Sequence, residues 1–125
     1  MDASVFGKMR VKPGTPGVFL YAPFAYQEMA KKQDIVDFDS QEKPKFIHLF
    51  VESIQDYENR IKDVLSMMDT GTRLWISYKK SNHQNKYDIN RDSFFILGKR
   101  DGLTPNANIA LDEEWSCVGF KKSLS

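Results

Sequence analysis

Phe46-Ile47-His48-Leu49-Phe50-Val51, the helical pattern running from Ser53 to Met68, and then Leu74-Trp75-Ile76-Ser77-Tyr78 form the stretch that decides the fold. The first run is apolar at nearly every position and too short for a helix, which is the composition of a strand covered on both faces. Ser53 stands where an N-cap belongs, with Asp56 three residues on, as in a capping box. Ile54, Tyr57, Ile61, Leu65 and Met68 then recur at helical spacing with Val64 beside them, while Arg60, Lys62 and Asp63 point elsewhere. Asp69-Thr70-Gly71 stops the helix, Gly71 being suited to a left-handed terminal residue. Strand, helix and strand joined by short links make a parallel crossover unit.

Upstream, Pro13-Gly14-Thr15-Pro16-Gly17 is a turn-rich break before a strand at Val18-Phe19-Leu20-Tyr21-Ala22, which Pro23 ends. Residues 25–33 favour a short helix with Ala25, Met29 and Ala30 turned inward, and residues 34–39 suit an edge strand. Met1 to Lys12 has no clear period and is expected to be irregular. Downstream, a polar loop from Lys79 to Tyr87 precedes a helix containing Phe94, Phe95, Ile96 and Leu97, capped by Asp88 or Asn90 and weakened at its far end by Gly98 and Gly102. Asn108-Ile109-Ala110-Leu111 and Trp115 to Phe120 pair as an antiparallel hairpin across the acidic turn 112–114. The expected fold class is α/β: one three-layer domain over residues 1–125, with a mainly parallel, mixed sheet of about six strands, helices on its faces and a C-terminal antiparallel hairpin.

Composition narrows the functional classes. With 41% hydrophobic residues in 125, the chain can bury one core. Eighteen Lys and Arg against seventeen Asp and Glu leave +1, which speaks against general attraction to nucleic acid or anionic lipid. Charge is uneven along the chain: residues 34–58 carry seven acids against Lys43 and Lys45, whereas residues 73–100 carry seven cations against Asp88 and Asp92. Cys117 is the only cysteine, so no internal disulfide forms, and no stretch approaches a membrane span or a signal sequence. A soluble, cytoplasmic protein is expected, with no membrane association.

Catalytic signatures are absent. A dinucleotide loop needs glycines directly after the first strand, so that backbone N–H groups can approach a phosphate. Here Gly14 and Gly17 precede that strand and Ala22-Pro23-Phe24-Ala25-Tyr26 follows it. His48, inside an apolar strand, reads as a structural histidine, and His83 has no partner near it in sequence. With Cys117 reading as core, neither a metal nor a cofactor is expected. The remaining cluster is at the strand exit: Lys79 and Lys80 leave together, Arg91 begins the next helix, and Asp88 and Asp92 can pair with them. Such groups hold a carboxylate or phosphate, and Trp115 with Ser116 can complete the wall. The structural alternative is that the acids cap the helix and the lysines are solvated. The expected ligand-binding set is Lys79, Lys80, Asp88, Arg91, Trp115 and Ser116.

Lys12-Pro13-Gly14, Ala22-Pro23, Gly71-Thr72-Arg73-Leu74-Trp75-Ile76-Ser77, Lys79-Lys80, Asp88-Ile89-Asn90-Arg91-Asp92 and Asp112 with Trp115-Ser116 form a pattern along nearly the whole chain. In it the protein resembles a family of small bacterial α/β proteins catalogued only as a domain of unknown function. It departs where that pattern commonly has a proline before the paired lysines, since Tyr78 runs straight into Lys79. The resemblance implies one Rossmann-like α/β domain and brings no activity. The order of helix, glycine turn, strand and closing hairpin is also similar to the later half of S-adenosylmethionine-dependent methyltransferases. Two functions are therefore expected: a non-enzymatic module binding an anionic small molecule or a protein segment at the strand C-terminal ends formed by Tyr21 to Phe24, Glu52-Ser53, Lys79-Lys80 and Arg91, or a reduced methyltransferase-like enzyme.

Overall fold

The computed structural model describes residues 4–123. Its elements, in order, are α1 (Val5–Lys8), β1 (Thr15–Leu20), α2 (Phe24–Gln33), β2 (Val36–Asp37), β3 (Phe46–Val51), α3 (Ile54–Met67), β4 (Arg73–Lys79), α4 (Arg91–Arg100), β5 (Leu103–Ala110) and β6 (Trp115–Lys122). One six-stranded sheet runs β2-β1-β3-β4-β6-β5. β2, β1, β3 and β4 are parallel, and β6 pairs antiparallel with both β4 and β5. The α/β class, the mixed sheet and the closing hairpin are those the sequence predicts.

Alternation along the central strands divides the core in two. Ile47, Leu49, Val51, Leu74, Ile76 and Tyr78 face α3 and α4, meeting Tyr57, Ile61, Val64 and Phe94. Phe46, Phe50, Trp75 and Cys117 face α1 and α2, meeting Val5, Phe6, Tyr26 and Met29. All six residues of β3 are buried, because both layers cover it. On the second face a polar pair interrupts the aromatic packing: His48 Nε2 and Ser77 Oγ share a 2.6 Å hydrogen bond, with Cys117 Sγ 4.0 Å from the same nitrogen. Burial holds the His48 pKa down at about 3 and pushes the Cys117 thiol up to about 12, so both are neutral core groups.

Several local expectations change. The N-terminal segment is not irregular throughout: α1 turns between Val5 and Lys8, and Val5, Phe6 and Met9 are buried because they cover Phe46 and Trp75. Tyr26 rather than Ala25 faces inward on α2. β1 starts at Thr15, inside the turn-rich segment, since Gly17 must pass close to Val36 and the Phe46 carbonyl, where a Cβ would lie 2.6 and 2.9 Å from them. Residues 34–39 supply only a two-residue strand. Gly71 is not a left-handed stop: α3 ends at Met67 with Met68 extended, and beyond it the Asp69 carboxylate accepts the Gly71 N–H and the Thr72 hydroxyl. Asn90, not Asp88, caps α4 by accepting the Ser93 N–H. Gly98 is compatible with that helix because it makes room for the Phe120 ring, 2.6 Å from where a Cβ would stand.

Candidate functional site

In this strand order β1 leads leftward to β2 while β3 leads rightward to β4, so the topological switch point lies between the C-terminal ends of β1 and β3. Open α/β sheets place their ligand crevice there. A cavity of about 310 Å³ occupies this position, lined by Tyr21, Phe50, Glu52, Arg60 and Trp115 among others. Tyr21, the residue after β1, has φ 60°, the left-handed region that favours glycine. Its ring lies under the Arg60 guanidinium, 3.7 Å from Cζ to the ring centroid. Arg60 reaches the rim because α3 begins at the crevice: its Nη1 donates to the Phe50 carbonyl at 2.8 Å and its Nη2 lies 3.5 Å from Asp56. Phe24, at the start of α2, is 73% exposed beside this exit.

The opposite wall comes from the β4–β6 pair. Register sets Lys79 against Trp115. The Lys79 ammonium lies 5.6 Å from the indole centroid and 3.2 Å from the Glu52 carboxylate, and the hydrogen bond to Glu52 raises its pKa. Trp115 packs edge-on against Phe50. Lys80 is tied to the hairpin turn, donating from Nζ to the Asp112 carbonyl and from its backbone N–H to the Glu114 carbonyl. Beyond the lysines a polar cavity of about 330 Å³ lies between them, the loop residues Asn82, Gln84 and Tyr87, and Glu114.

The predicted set is thus divided. Lys79, Lys80 and Trp115 meet at one rim. Ser116 does not join their wall, because successive β6 side chains point to opposite faces and Trp115 packs on the α1/α2 side. Asp88 accepts the Ile54 N–H at 2.9 Å, pinning the 80–90 loop to the first turn of α3. Arg91 stands in a separate open cleft with Tyr78, Asn90 and Asn108, its guanidinium 3.8 Å from Asp92. Tyr21 and Glu52 belong to the strand exits expected to form the site, whereas Arg60 lies outside them. The signal for Arg60 is its i,i+4 spacing from Asp56 on the first turns of α3.

No family model matches the chain and no curated protein matches it, so the resemblance to the small bacterial family rests on its motifs alone. Solved structures do share its fold. A SAM dependent methyltransferase from Aquifex aeolicus superposes with TM-score 0.67 at 8% identity, over 94% of this chain and 87% of that one. The glycopeptide N-methyltransferase MtfA gives 0.60 at 10% identity, over 96% and 88%. The ribosomal protein L11 methylase from Lactobacillus delbrueckii subsp. bulgaricus gives 0.58 at 10%, over 98% and 77%. At these identities the likeness shows the fold alone.

S-adenosylmethionine, the cofactor those neighbours imply, can be tested against the residues at the switch point. Tyr21 stacks under Arg60 where a glycine would let a nucleotide approach the backbone, and Pro23 removes an N–H from the same exit. An acidic residue on the second strand, which would take ribose hydroxyls at such a site, is out of position: β2 pairs only with the first residues of β1, leaving Asp37 level with Pro16 at the far end of the strand from Tyr21. Asp37 instead accepts the Asp39 N–H. None of the buried polar side-chain atoms left without a partner among the described residues, on Tyr26, His48 and Arg73, belongs to a residue lining this crevice. The residues present do not fit the cofactor.

Proposed function

We propose that the chain is a non-enzymatic binding protein on a methyltransferase scaffold, taking an anionic small molecule or the acidic end of a protein segment at the switch-point rim, with Lys79 as the charge that meets it and Trp115 and Tyr21 as its walls. The observation that carries this reading is the Tyr21–Arg60 stack: it retains a left-handed turn after the first strand but fills it with an aromatic side chain. A fold is shared by many activities, so the residues of the site outweigh the likeness here. In this reading an anion displaces Glu52 from Lys79, and the indole limits what can lie beside it. Asp88 acts at a distance, by holding the loop that shapes the polar cavity.

A thermal-shift screen of small carboxylates and phosphates against the wild type and Lys79→Ala tests the proposal. Stabilising compounds whose shift disappears in Lys79→Ala support it, and compounds that stabilise both proteins equally remove Lys79 from the site.

The second reading is a reduced S-adenosylmethionine-dependent enzyme, and the likeness to methyltransferases over nearly the whole chain favours it. Calorimetric titration separates the two. The binding-protein reading expects neither heat nor thermal stabilisation with millimolar S-adenosylmethionine; saturable binding would establish the enzyme reading instead.

A further inference from the structure

At the other end of the sheet, where β1, β3 and β4 begin, lies a cavity of about 320 Å³. Met9, Phe46 and Trp75 form its floor, and Arg10, Lys45 and Arg73 form its walls, with Lys12 at the edge. Among the described residues only one of these four cations has an acidic partner, Lys45 with Asp69 at 3.0 Å. Arg73 is the most constrained. Its Nη2 donates to Asn106 at 3.2 Å, its Cζ lies 5.3 Å from the Trp75 ring centroid, and its Nε is buried with no partner. A buried donor left unpaired is costly, and a guanidinium offers a fork that matches a carboxylate or phosphate. Burial, and next the repulsion of Arg10, lowers the Arg73 pKa. Arg10 is held there by a left-handed backbone, φ 58°, that closes the turn after α1.

We propose that this cavity is an anion site, in which Arg73 and Arg10 hold the carboxylate or phosphoryl group of a small organic acid. Its volume exceeds that of a bare ion and falls in the range of small-ligand pockets. It is built from three stretches that the sequence keeps apart: the α1 turn running into β1, the start of β3 and the start of β4. The site is independent of the switch-point rim, so either can fail without the other.

Titration with glycerol 3-phosphate and with succinate, each in low salt, tests it. Trp115→Phe leaves Trp75 as the only indole, and its fluorescence reads the cation above it. A saturable change with at least one probe is expected, with affinity reduced about tenfold or more by Arg10→Gln and by Arg73→Gln, reduced by added salt, and unchanged by Lys79→Ala. Response to succinate alone assigns a carboxylate and to glycerol 3-phosphate alone a phosphoryl group. No saturable response to either at millimolar concentration overturns the proposal, as does unaltered affinity in Arg10→Gln, whose exposed side chain can be changed without disturbing the core.

Discussion

Gly119 faces Trp75 across the β4–β6 ladder, and a Cβ there would lie 2.9 Å from the indole. The indole is buried, and Asn106 Oδ1 crowds the same spot at 3.1 Å. Gly119→Ala is expected to destabilise by about 1–3 kcal/mol, the usual range for overpacking, read as a lower urea midpoint with unchanged slope. Gly7, in α1, has open space where the methyl group of an alanine would stand. Gly7→Ala should therefore be neutral or slightly stabilising in the same measurement, since alanine is the better helix former. Nothing in the one-dimensional pattern distinguishes these two glycines; only the neighbour across the ladder does.

Among the elements, α3 is the one whose limits and buried face are legible from its residues. Ser53 accepts the Asp56 N–H at 3.0 Å, and Asp56 reaches back to the Glu52 N–H at 2.9 Å, one position earlier than in a standard capping box. Ser53→Ala should cost about 1 kcal/mol. The Asp88 carboxylate accepts the next amide of the same turn, that of Ile54, from 34 residues away. Asp88→Ala should lower stability by a similar amount and, unlike Ser53→Ala, speed hydrogen exchange in the 80–90 loop as well as at Ile54. Equal exchange in that loop would show that Asp88 does not hold it. The contrast explains why sequence spacing misplaces Asp88: its distance from α4 suggests a local cap, whereas its partner is remote in sequence. The same pattern overextends β2 for a related reason, since a strand lasts only as long as a neighbour offers it a ladder, and β1 does so at two positions.

For the whole molecule, acid sensitivity between pH 7 and pH 5 is expected to centre on His48, fully buried in β3. Folded, its imidazole stays neutral down to about pH 3; unfolded, it takes a proton near 6.5. Between those values the unfolded chain binds more protons, so this contribution to stability is complete above about pH 6.5 and is lost as pH falls toward 3, with a slope of up to about 1.4 kcal/mol per pH unit. Urea midpoints between pH 7 and pH 5 should fall for the wild type and stay nearly level for His48→Gln. Parallel declines in the two proteins would place the acid sensitivity elsewhere.

The chain's own residues determined the α/β class, the helix α3, the closing hairpin and the core strand that carries Cys117, because periodicity, capping and apolar runs are local properties that survive in the folded state. Tertiary structure decided the sites. It set Lys79 beside Trp115 but turned Ser116 to the other face, moved Asp88 to the start of α3, and brought Arg60 over Tyr21 and Arg73 near Arg10. These encounters depend on strand order and register, which pair residues tens of positions apart and which no local pattern encodes.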